Sequence, residues 1–258
     1  KTSTKNLIYE ILNEKYNVIK TTGNLNNHIG LPLSILSIDE THELAVLEFG
    51  ASKLGDITEL CEVGQPNFGL ITNIGEAHLN EFINVDNIIK TKTELWTYLV
   101  NNNGTIFLNS NDEILNKTHK ENKLFSMYNK FIFYSEKEEK IKLKSSSPFL
   151  KINWDNQTLN TKIVGEYNLN NIIASIAVGK FFNIKKETVI QVLQKNSFEN
   201  NRSQYIKTNS NEIILDAYNA NPTSMKYSIE SFIKIKSKRE KILIIGDMLE
   251  LGKKTKQY

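Results

Sequence analysis

Lys1-Thr2-Ser3-Thr4-Lys5 heads the chain and runs directly into an amphipathic segment with Leu7, Ile8, Ile11 and Leu12. A lysine followed by a hydroxyl residue at the head of a helix reads as the back half of a phosphate-binding loop. In a complete loop, glycines let backbone N–H groups close around phosphate oxygens. The lysine reaches the β- and γ-phosphates, and the hydroxyl binds Mg²⁺. The glycine half is not among these residues, and a Lys/Thr-rich chain end is also what a solvated terminus looks like. The reading depends on whether the rest of the chain supplies the other parts of an ATP site.

Outward from that stretch, helical and strand patterns alternate. Residues 4–14 read as a helix. The Asn-rich loop TTGNLNNHIG (21–30) precedes a short apolar helix with Pro32 in its first turn. Residues 43–49, 67–74 and 104–108 are short apolar runs, the mark of buried parallel strands. Residues 54–62 and 85–100 between them have helical periodicity. This predicts an α/β fold: a central parallel-sheet, P-loop ATPase-like domain. Short alternating segments at 131–134, 141–143, 149–152 and 159–163 predict a small antiparallel β region appended to it. Helices are expected over 168–182 and 187–194.

Texture changes again near residue 200. Strands are expected at 204–207, 212–215 and 242–245, with a helix over 222–233, as in a truncated Rossmann-like unit. The expected domains are therefore 1–199 and 200–258, the second partial. The chain begins inside an apparent motif and ends without a natural terminator, so it reads as a piece of a longer protein.

Composition sets limits. The 258 residues suffice for one large or two ordinary domains. A net charge of +3 with no Lys/Arg block gives no reason to expect nucleic acid. The single cysteine, Cys61, excludes an internal disulfide and fits a reducing cytosol. No apolar run approaches the roughly 18 residues of a membrane span.

Ligands in open α/β sheets sit beyond the carboxyl ends of the strands. Glu48 closes one strand, His78 follows the next, and Asp216 closes a strand of the second unit. They suit metal or phosphate contacts, although Mg²⁺ prefers oxygen to imidazole. Equally, Glu48 would cap a helix, His78 hydrogen-bond within a loop and Asp216 begin a turn. Lys92 shares a helical face with Trp96, either buried and functional or snorkelling to solvent. Asn168 is a natural N-cap, or an amide able to read an adenine edge. Arg202, at the domain boundary, could reach a γ-phosphate or lie on the surface. The amide-dense junction DAYNANP (216–222) either binds a ligand or caps a helix.

Taken together and in order, these segments resemble the Mur ligase superfamily, the ATP-dependent amide-bond ligases of peptidoglycan synthesis. The residues that carry the resemblance are KTSTK (1–5), TTGNLNNHIGLPLSIL (21–36), AVLEFGASKLGDI (45–57), ITNIGEAHLNEF (71–82), GEYNLNNIIASIAV (165–178), NNRSQ (200–204), LDAYNANPTSM (215–225) and IGDMLELG (245–252). They cover nearly the whole chain. The Asn-rich NN-x-GLP, YNANP-x-SM and GDM-x-ELG stretches resemble most closely the branch that adds D-alanyl-D-alanine to a UDP-N-acetylmuramoyl-tripeptide.

The resemblance implies roles by position. Lys1 and Ser3 belong to the ATP phosphate loop. Thr2 and Glu48 ligate one Mg²⁺, and His78 serves a second. Lys92 matches a lysine that the family carbamylates with CO₂, which would make it an anionic metal ligand. Asn168 and Asn171 contact the nucleotide, Arg202 its phosphates, Asp216 the ribose, and Tyr218 and Asn219 flank it. Asn26, Asn27 and His28 fall in the acceptor-substrate loop. The implied catalytic set is Lys1, His78, Lys92 and Arg202. A cytoplasmic monomer is expected. Two departures stand out: the family's N-terminal substrate domain and the phosphate-loop glycines are absent, and the C-terminal domain is short. Other ligases of the superfamily, such as the tripeptide-forming enzyme or folylpolyglutamate synthase, and a non-catalytic nucleotide-binding module, are the competing readings.

Overall fold

Neighbouring parallel strands cannot be joined by a tight turn, so each needs a crossover segment between it and the next. A computed structural model of the chain describes residues 1–74, 85–199 and 201–248 and follows that plan. Helix α1 (Thr2–Leu12) leads to β1 (Val18–Lys20), α2 (Gly30–Leu36) and β2 (Leu44–Val46); β1 and β2 pair in parallel with Val18 opposite Leu44. After α3 (Asp56–Gly64) come β3 (Phe68–Leu70), α4 (Val85–Asn101), β4 (Thr105–Asn109), α5 (Glu113–Glu121), α6 (Lys123–Ser126) and β5 (Phe131–Tyr134). These three strands form a parallel sheet in the order β3-β4-β5.

The structure corrects the expected place of Phe131–Tyr134. It is the third strand of the parallel sheet, with Phe107 opposite Ile132, and not part of the antiparallel region. Phe-Ile-Phe-Tyr is in fact apolar without interruption, as parallel strands are, and it lies at the sheet edge with Phe133 exposed and Tyr134 buried. Strand β1 and helices α5 and α6 carried no clear signal, being three residues, strongly polar and four residues long respectively.

The appended region is an antiparallel meander of β6 (Ile141–Ser146), β7 (Phe149–Trp154) and β8 (Gln157–Val164). Asp155 and Asn156 join β7 to β8 with φ of 47° and 67°, the left-handed pair that a two-residue hairpin requires. A 3₁₀ turn (Glu166–Asn168) enters α7 (Leu169–Phe181), in which every residue from Ile172 to Gly179 is buried. A helix apolar on all sides belongs in a core. It packs against α1, the meander and α8 (Lys186–Lys195), sharing a cluster with Leu7, Ile11, Ile152, Ile163 and Leu193. A second cluster, around Trp96, Leu99 and Leu108, lies between α4 and β4.

Strands β9 (Gln204–Lys207) and β10 (Glu212–Leu215) form an antiparallel pair, followed by α9 (Pro222–Lys234). Asn221 Oδ1 accepts from Ser224 N–H, Ser224 Oγ accepts from Asn221 N–H, and Pro222 takes the first helical position, so α9 starts with a full capping box. The strand expected at 242–245 does not form. Ile242 and Ile244 are 72% and 92% exposed, and no ladder includes them among the described residues. An apolar run is a strand only where another strand pairs with it. No helix among the described residues is long and apolar enough to cross a membrane.

Candidate active site

The carboxyl ends of β2 and β3, the head of α1 and the loops of the second unit open onto one cleft of about 1460 Å³. That exceeds the usual range for a single small ligand, about 300–1000 Å³. Every candidate residue lines this cleft except His78 and Lys92. His78 lies outside the described residues.

Glu48 is the centre of the site and is 6% exposed. Its Oε1 accepts from Asn26 Nδ2 at 2.9 Å, and Thr2 also donates to its side chain. Burial alone would raise its pKa. The Asn26 hydrogen bond, the positive charge at Lys1 and the Thr2 hydroxyl outweigh burial and hold the carboxyl below its ordinary value. Glu48 is therefore an anion, and its other oxygen, Oε2, is buried without a hydrogen-bond partner. Among the described residues no three His, Cys, Asp or Glu side chains cluster for a metal. A hydroxyl and a carboxylate with a vacant oxygen nevertheless fit Mg²⁺, which takes one or two carboxylates and completes its shell with waters and phosphates.

The alternative in which Glu48 caps a helix is not what the structure shows. The helix that follows, α3, is capped from another element: Glu94 on α4 accepts from Gly55 N–H at 2.7 Å and from Thr58 N–H at 2.9 Å. Gly55 sits at φ 93°, a conformation that glycine adopts without strain.

Lys1 Nζ donates to the Phe49 carbonyl at 3.3 Å. Burial lowers its pKa, Glu48 opposes that shift, and Arg202 adds to it. Lys1 and Arg202 are thus near enough to repel, which concentrates positive charge where phosphates would lie. Arg202 itself lies over the Tyr218 ring, 3.5 Å from its centroid.

Lys92 is the α4 lysine that turns toward the site, while Lys90 is exposed. Its side chain is half-buried and donates to the carbonyl of Asn73, a lining residue, at 2.8 Å. Burial first, then the charge of Lys1, bring its pKa down to about 8 against the opposing pull of Asp112.

Asn168 occupies the N-cap position of α7 but makes no capping bond. Its φ and ψ, −80° and −7°, are already helical because the 3₁₀ turn runs into the helix. Its Oδ1 accepts from Asn171 Nδ2 at 2.7 Å, and its Nδ2 donates to the Val164 carbonyl at 2.7 Å. Asn171 Oδ1 in turn accepts from Thr4 at 2.7 Å, so Asn171 ties α1 to α7 while Asn168 holds Asn171 and the end of β8. Asn27 Oδ1 caps α2 by accepting from Gly30 N–H at 2.9 Å. Asn219 Oδ1 accepts from Ala220 N–H.

Asp216 accepts from Ser203 N–H at 2.9 Å, Ser228 Oγ at 3.1 Å and Tyr167 OH at 3.2 Å. Tyr167 OH also lies 2.7 Å from Ser203 Oγ, joining the two units. Burial and the adjacent Asp216 push its pKa up to about 12, so the phenol stays protonated and can donate. Sequence reasoning passed over Tyr167, Ser203 and Ser228, which lack a spacing signal, and left Lys5 without a role. Lys5 is 5% exposed, and its Nζ is 3.7 Å from Glu48 Oε2.

Residues 1–179 match the model of the Mur ligase middle domain, and residues 201–258 match that of the Mur ligase glutamate ligase domain. The chain is 36% identical over 257 residues to UDP-N-acetylmuramoyl-tripeptide--D-alanyl-D-alanine ligase of Bacillus subtilis, covering 98% of this chain and 55% of that protein. The same-named protein of Escherichia coli is 26% identical, over 98% and 56%. A crystal structure of MurF from Acinetobacter baumannii superposes with a TM-score of 0.83 at 27% identity, covering 99% of this chain and 56% of that one. The MurF ligase of Thermotoga maritima in complex with ADP gives 0.82 at 28%, covering 99% and 59%. The chain spans about half the length of the curated relatives it matches.

Proposed function

The chain belongs to the Mur ligase family, and from that premise we propose that the parent protein joins D-alanyl-D-alanine to a UDP-N-acetylmuramoyl-tripeptide in an ATP-dependent step of peptidoglycan synthesis. The names of its relatives support the reaction, and the ADP complex of the Thermotoga relative supports the nucleotide. The observation that carries the reading is the meeting of Lys1, Thr2 and Glu48 with Arg202 from the second unit in one cleft. We place the boundary between the two domains near residue 200 and the reaction in the cytoplasm, where ATP and a UDP-linked precursor meet.

In this reading the terminal carboxylate of the tripeptide attacks the γ-phosphorus of ATP. The bond to the β,γ-bridging oxygen breaks, giving an acyl phosphate and ADP. The amine of the dipeptide then attacks the acyl carbon. Phosphate leaves with one carboxylate oxygen, and the amine gives up a proton as the amide forms. Lys1 and Arg202 hold the phosphates and neutralise the charge that builds up during transfer. Thr2 and Glu48 supply oxygens for one Mg²⁺, and we assign His78 to a second. Bound Mg²⁺ screens the phosphate charge so that an anion can approach.

Lys92 is assigned as the carbamylated lysine. Its lowered pKa keeps a substantial neutral fraction, the form that adds CO₂, and the product is an anionic oxygen ligand. Asn168, Asn171, Asp216, Tyr218 and Asn219 are assigned to the nucleoside, Ser3 to the phosphate loop, and Asn26, Asn27 and His28 to the acceptor. Closure of the second unit over the cleft would exclude the water that hydrolyses an acyl phosphate.

The test is phosphate release by the intact parent protein with ATP, Mg²⁺ and the UDP-linked tripeptide. D-alanyl-D-alanine should support turnover, while single amino acids and glutamate should not. Turnover with a single amino acid in place of the dipeptide would move the protein to another branch. ATP binding without turnover would make it a nucleotide-binding module.

A further inference from the structure

Lys5 stands one helical turn beyond Lys1, on the buried face of α1. A buried ammonium needs both a counter-charge and acceptors for its protons. Glu48 supplies the charge, but at 3.7 Å from Oε2 the contact is longer than a hydrogen bond. The protons go elsewhere, to the carbonyls of Thr21 at 2.6 Å and Gly23 at 3.5 Å.

Those two carbonyls are the root of the turn that carries Asn26. Thr21 is further tied to β2 and its end, through its N–H to the Val46 carbonyl at 3.1 Å and from Glu48 N–H to its Oγ1 at 2.9 Å. At the far end of the turn, Gly50 N–H donates to the Asn26 carbonyl at 2.6 Å, and Asn26 Nδ2 donates to Glu48 Oε1. One carboxylate oxygen is thereby held, and the other is buried with no hydrogen bond.

We propose that Lys5 is a positioning residue that clamps the root of the 21–26 turn and neutralises Glu48 without occupying it, so that Asn26 fixes one carboxylate oxygen and the other stays free for a divalent cation. The proposal rests on the reading of Glu48 as the metal carboxylate. A lysine present only to pair with Glu48 would sit at hydrogen-bond distance from Oε2. A residue present only to pack α1 would be better apolar.

The test is a double-substitution cycle in the intact parent protein with Lys5→Met, Asn26→Ala and the pair. In the nucleotide-free protein, amide exchange at Gly50 should speed up about tenfold or more in Lys5→Met, while amides of Leu7 to Ile11 keep their protection. With substrates, Lys5→Met should lower kcat/KM about tenfold in the native background and less than about twofold beside Asn26→Ala, because both act through one turn. Equal losses in the two backgrounds, or unchanged Gly50 exchange, would overturn the proposal. If Lys5→Met does not fold, Lys5→Gln, which keeps an N–H for the Thr21 carbonyl, carries the same cycle. Loss of folding in both variants would make Lys5 a core residue and end the proposal. Should the unsubstituted protein lack ligase turnover, the functional reading fails while the Gly50 exchange still decides the clamp.

Discussion

Asn26 Nδ2 donates to Glu48 Oε1 at 2.9 Å, and this bond joins the Asn-rich loop to the carboxylate at the end of β2. A hydrogen bond to a buried charged group contributes about 1.5–3 kcal/mol. Asn26→Ala is expected to lower stability by about 2 kcal/mol, read by denaturant unfolding. It should also lower ligase kcat/KM by about tenfold or more, because Glu48 loses its fixed orientation. Full activity in this variant would separate the loop from the Mg²⁺ role proposed for Glu48.

Gly50 makes that contact possible. A Cβ there would lie 2.8 Å from Asn26 Oδ1 and 2.9 Å from its Cγ. The Asn26 side chain cannot give way without releasing Glu48. Gly50→Ala should therefore reproduce the activity loss of Asn26→Ala, and combining the two should add little. The comparison of kcat/KM for the three variants checks it.

Glu94 ties the helix of Lys92 to α3 by capping it across space. Glu94→Ala leaves the Gly55 and Thr58 N–H groups without that acceptor. The loss of an N-cap costs about 0.5–2 kcal/mol. A fall of about 1 kcal/mol in unfolding free energy is expected, and thermal melting should show it. Unchanged melting would mean that water replaces the carboxylate at no cost.

Much of this architecture was legible before any coordinates. Strand β4 announced itself because both its faces are covered, and β2 and β3 because Leu44–Val46 and Phe68–Leu70 carry no polar residue, although Ala45 and Phe68 are exposed. Phe131–Tyr134 misled because it stands next to the alternating segments that follow it, although its own four residues are apolar without interruption. Residues 242–245 misled because apolar character was read as pairing, and no strand among the described residues pairs with them. In the site, Glu48 and Asp216 were visible because each ends a strand. Tyr167 and Ser203 were not, since their roles come from a meeting across the two units that no local spacing encodes. Lys5 was in view from the start, but only its burial distinguishes it from a solvated lysine.

Lys92 supplies a pH dependence whose sign follows from its shift. Its pKa falls to about 8, against about 10.4 for a free lysine. Between those values the folded chain binds fewer protons than the unfolded one, so stability rises with pH across that window. Lys92→Met should lack this rise when unfolding is followed from pH 7.5 to 10. In the unsubstituted chain, Lys92 should react with cyanate with a midpoint near pH 8. A midpoint near 10 would contradict the burial described here.

The proposed carbamylation of Lys92 adds a functional prediction. Lys92→Ala should lower ligase turnover by about 100-fold or more, as loss of a metal-site ligand does. Short carboxylic acids should restore part of the rate by placing an anionic oxygen in the space left. Activity of the alanine variant without any additive would remove Lys92 from the metal site.

The proposed reaction makes an amide through an acyl phosphate. The most direct measurement uses UDP-linked tripeptide labelled with ¹⁸O in its terminal carboxylate, together with ATP, D-alanyl-D-alanine and the intact parent protein. Transfer of one ¹⁸O from the carboxylate to the inorganic phosphate released is the predicted result. Amide formation with unlabelled phosphate would contradict it.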